Sequence, residues 1–313
     1  KPPEAVSVNP NLKYEIKGDA VTITGCAEDA SGELVIPSKI EGKSVTNIGN
    51  EAFGGCTSLT SITIPDSVTS IGDRAFGFCD SLTSITIGDG VNSVGDQAFA
   101  FSESLTSIKI PNSVTSIGSM SFWSCTSLTS ITIGDGVTSI GADAFRNCSN
   151  LTSIKIGNGV TSIGGFTGCT SLTSITIPDG VTSIGETAFA GCGSLTSITI
   201  GNGVTSIGEG AFFGCTSLTS ITIPDSVSSI GEQAFYECTS MTSITIGNGV
   251  TNIGGSAFWN CTSLTAVTFL GDAPKIEDKA FEDSSPTIYR EADAKGWGDT
   301  LAGRPVKLIT EKP

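Results

Sequence analysis

Aliphatic and small polar residues alternate along short segments that recur through the chain. In one of them, Ile62 and Ile64 alternate with Ser61 and Thr63, which is the two-residue period of a strand with one buried face. Ile and Thr also suit the pleated surface of a sheet. The pattern therefore predicts a short strand that is buried on one face and exposed on the other.

A turn and a second extended piece follow this strand. The next three residues are Pro-Asp-Ser, Pro-Asn-Ser, Gly-Asp-Gly, Gly-Asn-Gly or Pro-Asp-Gly in different copies, and each of these supplies turn chemistry. Val68 and Ile71 then predict a second short strand. The segment 73–76 predicts one helical turn that points Phe76 inward.

The unit repeats every 23 residues, apart from one step of 21 residues between Cys148 and Cys169. Ten copies begin at Leu59, Leu82, Leu105, Leu128, Leu151, Leu172, Leu195, Leu218, Met241 and Leu264. The same period is kept by an inward Phe at positions 53, 76, 99, 122, 145, 166, 189, 212, 235, 258 and 281. A period of this length is typical of solenoid proteins.

A single unit cannot fold alone, because its inward side chains stay exposed until another unit covers them. Stacked units hydrogen-bond strand to strand and bury one continuous interior. The repeat therefore predicts a β-solenoid whose ten coils form a sheet roughly 50 Å long, at ~4.8 Å per strand. Both ends of such an array need caps.

The ends of the chain differ in composition from the array. Of the 16 basic residues, five lie before residue 44 and seven after residue 270. We therefore expect an N-terminal cap and opening coil over 1–43, a repeat array over 44–270, and a final partial repeat with a C-terminal cap over 271–313.

The N-terminal cap is predicted to be a hairpin over residues 13–25. In this hairpin Tyr14 and Ile16 face Val21 and Ile23, and it shields the open edge of the first coil.

The unit resembles the BspA-like (treponemal-type) subclass of bacterial leucine-rich repeats. That subclass has the pattern Leu-x-x-Ile-x-Ile-Pro-x-x-Val-x-x-Ile-Gly-x-x-Ala-Phe-x-x-Cys, which the copy beginning at Leu59 follows. The resemblance implies a leucine-rich repeat solenoid, mainly β with one short helical turn per repeat. It further implies a curved right-handed coil between an N-terminal β-hairpin cap and a C-terminal α/β cap.

Two positions depart from the family pattern. Ser102 replaces the inward Cys of one copy, and the segment 164–166 omits two residues of the expected helical turn. We expect a kink at the shortened coil.

The resemblance also implies a location and a role. Members of the family are mostly exported or surface-attached proteins of host-associated bacteria and some protists, and those with known roles bind extracellular matrix proteins or host cells. A non-enzymatic secreted or cell-surface adhesion protein with a protein ligand is therefore expected. A structural spacer in a larger surface protein and a glycan-binding module remain alternatives.

Charge and composition restrict the partners and the chemistry. The chain has no His and a net charge of −15, so it lacks the commonest general base and metal ligand, and it repels nucleic acids and anionic membranes. No stretch approaches the ~18 apolar residues of a membrane span. The sequence opens at Lys1 without an initiator Met or an apolar signal core, so any export signal or anchor would lie outside it. We expect no cofactor.

The repeated cysteines have the spacing of a core column. Cysteines that keep the repeat period stand at positions 56, 79, 125, 148, 169, 192, 215, 238 and 261. No pair of them has the short Cys-x-x-Cys spacing of a zinc or redox site. We interpret them as buried thiols that act as small apolar side chains and predict that they are reduced.

The exposed strand face is predicted to be a sheet of Ser and Thr hydroxyls, interrupted by Lys109 and Lys155. This face is a candidate contact surface for an acidic group of a partner, or an ice-binding lattice. It is alternatively only a soluble strand surface that gene duplication has repeated.

Two sets of aromatic residues follow the inward Phe in successive coils. They are Phe78, Phe101 and Trp123, and then Phe213, Tyr236 and Trp259. Aligned exposed aromatics mark partner surfaces more often than scattered ones, although the rings can also simply pack over adjacent turns. The same position holds Gly54, Gly77 and Ala190 in other copies, so we select these six residues as the first candidate site.

Repeated acidic residues stand at the turn after the first strand, where Asp66, Asp89, Asp135, Asp179 and Asp225 alternate with Asn in other copies. Stacked carboxylates are a possible calcium site, but alternation with Asn fits turn hydrogen bonding better. No single pair of carboxylates stands out as a glycosidase pair would. We therefore predict no metal site and no enzymatic activity.

Overall fold

The structure is a computed structural model that describes residues 10–27 and 29–312; residues 1–9 of the expected N-terminal cap lie outside the described residues. The chain forms a mainly-β solenoid of about 12 turns with almost no helix. We number the ten predicted repeats coils 1–10, and the turns of chain before and after them coils 0 and 11.

Two short strands form each coil. The strands in chain order are β1 Leu12–Lys17, β2 Ala20–Cys26, β3 Gly32–Val35, β4 Lys39–Ile40, β5 Lys43–Ile48, β6 Leu59–Thr63, β7 Ser70–Ile71, β8 Ser84–Thr86, β9 Ser93–Val94, β10 Ser107–Ile110, β11 Ser116–Ile117, β12 Ser130–Ile133, β13 Ser139–Ile140, β14 Ser153–Lys155, β15 Ser162–Ile163, β16 Ser174–Thr176, β17 Ser183–Ile184, β18 Ser197–Thr199, β19 Ser206–Ile207, β20 Ser220–Ile223, β21 Ser229–Ile230, β22 Ser243–Ile246, β23 Asn252–Ile253, β24 Ala266–Phe269, β25 Lys275–Ile276, β26 Thr287–Arg290, β27 Thr300–Leu301 and β28 Arg304–Leu308. One 3₁₀ turn, Ile309–Glu311, follows β28.

The strands stack in two parallel ladders, each joining equivalent residues of successive coils. The first-strand ladder runs from β3 to β14, then β16 to β18, then from β20 onward. The second-strand ladder runs from β5 to β13 and from β15 to β25. Its break between β13 and β15 coincides with the coil whose turn is two residues short.

A single column of Phe rings fills the interior. The eleven rings from Phe53 to Phe281 are 0–1% exposed, and neighbouring centroids lie 5.0 to 5.5 Å apart with nearly parallel planes. Because all eleven occupy one column, successive coils bury one another's apolar interior, as the repeat predicted.

The expected helical turn is wrong. In the segment that follows β7, Arg74 and Phe78 have φ values of +52° and +58°, which an α-helix does not allow. The N–H groups of Arg74, Phe76 and Phe78 instead donate to carbonyls of the next coil at 2.7 to 2.9 Å. The segment is therefore a series of tight turns, and these turns form a third ladder between coils.

The inward cysteines are hydrogen-bond donors as well as packing groups. Each free thiol lies 3.1 to 3.2 Å from the carbonyl oxygen of the inward Phe in the preceding coil, as Cys125 does to Phe99. Ser102 makes the same bond to Phe76 at 2.7 Å. A hydroxyl therefore substitutes for the thiol because it has the same donor in the same place.

The prediction of reduced thiols is wrong for one member of the column. Cys56 forms a disulfide with Cys26 of β2, across 30 residues, which ties the hairpin to coil 0. Cys26 lies outside the repeat, so the period gave no signal for this pair. The other eight cysteines are free and buried.

The caps are built from strands. Hairpin β1–β2 places Tyr14 opposite Ile23 and Ile16 opposite Val21. The expected α/β cap at the C-terminal end is wrong, because the described residues there contain strands and one 3₁₀ turn but no α-helix. Arg304 closes the Phe column, since its guanidinium donates to the Phe281 carbonyl at 2.7 Å.

We predict that Cys125→Ser changes the free energy of unfolding by less than ~1 kcal/mol, because the hydroxyl keeps the bond to the Phe99 carbonyl. Cys125→Val should cost about 1–3 kcal/mol, because it overfills the column and removes the donor. Urea unfolding of the two variants beside the wild type measures both values. Equal losses for Ser and Val would contradict the donor role.

Burial raises the pKa of the Cys79, Cys125, Cys192 and Cys261 thiols to about 12, so thiolate, the reactive form, is scarce near neutral pH. We therefore expect iodoacetamide to label no cysteine of the native protein. In urea without reductant, intact mass should show eight labels, and Cys26 and Cys56 should react only after reduction. Ten labels without reduction would rule out the disulfide.

Candidate functional site

Two stacks of aromatic rings lie outside the Phe core, over the turns that follow the second strands. We call Phe78, Phe101 and Trp123 column A and Phe213, Tyr236 and Trp259 column B. The ring centroids of Phe78 and Phe101 are 4.8 Å apart and their planes differ by 12°. Those of Phe213 and Tyr236 are 4.9 Å apart and differ by 6°. Each column therefore joins three coils.

The two columns use different registers. Phe78 and Phe101 stand two residues after the inward Phe, both at φ +58°, whereas Trp123 and the three rings of column B stand one residue after it. The prediction that all six share one register is therefore wrong. The structure still brings them into contact, because Phe101 reaches Trp123 at 4.7 Å between centroids.

Each column has one open ring face. Phe78 is 53% exposed and Phe213 36% exposed, and the equivalent positions in the preceding coils hold Gly55 and Ala190, which supply no ring to cover them. The middle and last rings are half-buried. Apart from Phe78 and Phe213, the columns therefore present mostly ring edges to solvent.

The tryptophans end the columns with tilted rings, at 54° for Trp123 and 49° for Trp259. Trp259 is held by polar neighbours, since its Nε1 donates to Asp283 Oδ2 at 3.0 Å and Lys279 Nζ lies 5.2 Å from its ring centroid. Trp123 Nε1 is buried without a hydrogen-bond partner. Lys279 and Asp283 were not predicted from the sequence, because both lie where the repeat decays.

The strand face presents hydroxyls that the protein itself does not use. Side chains such as Ser130, Thr132, Ser220 and Thr222 make no hydrogen bond to another described residue. By contrast, the Thr immediately before the first strand does, as Thr129 Oγ1 donates to the Thr106 carbonyl at 3.0 Å. The face hydroxyls are therefore free to meet a ligand.

Lys109 and Lys155 lie on this face, separated by the strand that carries Thr132, which places them roughly 10 Å apart by strand spacing. Both are exposed. Lys109 borders a cleft of about 710 Å³ and Lys155 one of about 390 Å³.

The turn carboxylates are structural hydrogen-bond acceptors. Asp66 Oδ1 accepts from the Asp89 N–H at 2.9 Å, and Asn112 Oδ1 accepts from the Asp135 N–H at the same distance, so Asp and Asn serve alike. Over residues 10–27 and 29–312, no group of three or more Cys, Asp or Glu side chains is placed to hold a metal ion.

The sequence matches the model of the "BspA type Leucine rich repeat region" in six copies, over residues 46–165 and 164–287. The chain belongs to the BspA-type leucine-rich repeat family. Leucine-rich repeat solenoids are generally binding scaffolds, and the match indicates no catalytic family. No curated protein matches the chain.

Two solved structures support membership of the BspA-type family. A leucine-rich repeat protein from Bacteroides ovatus ATCC 8483 is 30% identical, with 90% of this chain and 84% of that chain covered and a TM-score of 0.74. The leucine-rich repeat protein TpLRR from T. pallidum is 31% identical, with 66% and 88% covered and a TM-score of 0.53.

No helix in the described part of this BspA-type chain is long and apolar enough to cross a membrane.

Core and column rings should respond differently to truncation. Phe76 is fully buried, so Phe76→Ala should cost about 3–5 kcal/mol of unfolding free energy. Phe78 lies two residues away and is 53% exposed, so Phe78→Ala should cost less than ~1 kcal/mol. Chemical denaturation measures both. A loss at Phe78 equal to that at Phe76 would mean that column A exists for packing.

Proposed function

We propose that this protein is a non-enzymatic secreted or cell-surface binding module that recognises a protein ligand, such as a host extracellular or matrix protein, through columns A and B. The single observation that carries the proposal is the pair of exposed ring stacks. The solenoid does not need them, since Gly55 occupies the position of Phe78 in another coil, and Gly54, Gly77 and Ala190 occupy the position of Trp123 and column B.

The two open faces mark the strongest contacts. Aromatic side chains supply a large apolar area at low cost in conformational entropy and are enriched among interface hot spots. In both columns the neighbouring rings hold the exposed Phe in one orientation. An apolar side chain of a partner therefore meets a fixed surface at Phe78 and at Phe213.

Ring orientation favours protein over glycan. A sugar ring binds by laying its C–H groups flat on an aromatic face, whereas stacked rings cover one another's faces and leave their edges outward. Only Phe78 and Phe213 offer open faces, and Trp259 already has Lys279 near its ring. Glycan binding thus stays the second candidate, favoured only by these two faces.

Lys109 and Lys155 are proposed as secondary contacts for an acidic group of the same partner. The net charge of −15 makes nucleic acid and anionic membranes unfavourable partners. A spacer role is the remaining alternative. It gives no account of rings that are exposed and stacked in two places.

The test compares binding of variants to an array of purified extracellular-matrix proteins and glycans and to cultured host cells. Phe78→Ala combined with Phe213→Ala should weaken binding tenfold or more, with the fold retained. Arg146→Ala is the matched control, because Arg146 is exposed on the same surface between the columns. Unchanged binding by the double variant would reject the columns as the site. Absence of any ligand on the array and on cells would favour the spacer.

A further inference from the structure

The first-strand ladder is open or weakened at three junctions between coils. No residues pair between β14 and β16 or between β18 and β20, and β8 and β10 share only the pair Ser84 and Ser107. Every other junction between coils 1 and 10 pairs three or four residues. The open junctions are those of coils 2–3, 5–6 and 7–8.

Hydrogen bonds also join the Thr residues that immediately precede the first strands of successive coils, and these bonds are missing at two of the three junctions. At the closed junction of coils 3–4, both the N–H and Oγ1 of Thr129 donate to the Thr106 carbonyl. At junction 5–6 neither group of Thr173 bonds to Thr152, and at junction 7–8 Thr219 does not bond to Thr196. These Thr residues lie just before the strands, so their missing bonds are an observation separate from the missing strand pairs.

The bonds between the Asp and Asn residues of the turns that follow the first strands are also interrupted, at all three junctions. In closed junctions 1–2, 3–4, 4–5, 6–7 and 8–9 the Asp or Asn of one turn accepts the N–H of the equivalent residue in the next coil, as Asp135 does from Asn158 at 2.9 Å. The corresponding bond is absent between Asp89 and Asn112, between Asn158 and Asp179, and between Asn202 and Asp225. Three separate sets of hydrogen bonds thus stop at junctions 5–6 and 7–8, and at junction 2–3 the turn bond is lost while the Thr106 bonds to Thr83 remain.

One sequence feature distinguishes these junctions. In each of them the turn of the first coil begins with Gly and the turn of the next coil begins with Pro: Gly88 and Pro111, Gly157 and Pro178, and Gly201 and Pro224. In the closed junctions 1–2, 3–4, 6–7 and 8–9 the order is Pro and then Gly, in junction 4–5 both residues are Gly, and in junction 9–10 Gly247 is followed by Leu270.

Close backbone approach explains the correlation. A Cβ placed at Gly134 would lie 2.7 Å from the carbonyl carbon of Pro111, and one at Gly201 would lie 2.6 Å from that of Pro178. Such distances are impossible for a real Cβ, so the turns of two coils approach this closely only where the second coil has Gly. A Pro in the second coil carries both a Cβ and a ring, which keep the turn of a preceding Gly coil further away. Strand pairing alone tolerates other residues, since junctions 0–1 and 9–10 pair four residues with Pro65 and Leu270 in the second coil.

The opposite side of the solenoid stays closed. Strands β15 and β17 pair across junction 5–6, and β19 and β21 pair across junction 7–8. The core rings Phe166 and Phe189, and likewise Phe212 and Phe235, remain stacked at 5.5 and 5.2 Å. Opening is therefore one-sided.

We propose that junctions 2–3, 5–6 and 7–8 are flexible joints set by the order Gly then Pro. The strand face opens and closes at each joint, while the second-strand ladder and the Phe column act as the hinge. The array is thus a series of stiff blocks, coils 1–2, 3–5, 6–7 and 8–10. This proposal does not rest on columns A and B.

The joints expose groups that closed junctions cover. Ile154 and Ile198, which stand immediately before the two fully open junctions, are only partly buried, unlike Ile131 and Ile221. Clefts of about 390 and 490 Å³ lie over the same junctions. Movement at the joints therefore changes the shape of the hydroxyl face.

The test is residue-resolved amide hydrogen exchange of the full chain. In the wild type, the Thr173 and Thr219 amides should exchange at least tenfold faster than those of Thr129 and Thr242, which donate to the preceding coil. Pro178→Gly should close junction 5–6 and slow exchange at Thr173 at least tenfold, while leaving Thr219 fast. Pro224→Gly should slow Thr219 alone.

Pro65→Gly is the matched control. Pro65 precedes a closed junction, and the strand before it, β6, already pairs with β3 over four residues, so no amide in the first-strand ladder should slow. The double variant Pro178→Gly with Pro224→Gly should also raise the urea m-value, because more coils then unfold together. Slow exchange at Thr173 and Thr219 in the wild type, or fast exchange at Thr173 in Pro178→Gly, would overturn the proposal.

Discussion

Each coil of this protein is stable only against the next one. The backbones of neighbouring coils approach so closely that several positions have no room for a Cβ; one at Gly72, for example, would lie within 2.7 Å of Gly49 and Asn50. That approach permits strand pairing, tight-turn bonds and Phe stacking to form together. A nearly constant step of 23 residues, shortened once to 21, keeps these contacts in register from coil to coil.

The same constraint separates the inside of each coil from the outside. Inward positions are fixed by contact with two neighbours, so the Phe and Cys columns vary little and Ser102 is accepted only because its hydroxyl donates to the same carbonyl. Outward positions touch little beyond their own column. Phe78 and Phe213 are therefore free to serve a ligand, whereas the turn carboxylates of Asp66, Asp135, Asp179 and Asp225 each accept a bond from the next coil.

Particular residues show how far sequence reasoning reaches. Alternation at Ile62 and Ile64 was enough to predict a half-buried strand, and the Phe period was enough to predict one column. The helical turn was wrong because tight turns and a helical turn bury Ala75 and Phe76 alike, while only the ladder to the next coil reveals the positive φ of Arg74. The disulfide of Cys26 was missed because its partner in space lies in a different structural unit.

The sequence by itself determined that this chain is a stack of equivalent coils, because periodic burial leaves a periodic record in residue type. It also named the six aromatic residues, although it placed them in one register. Only the tertiary structure decided which ring faces are open, and which junctions are closed. Both depend on the distance between neighbouring coils, and that distance is set by pairs of residues, such as Gly157 and Pro178, that no single copy of the repeat contains.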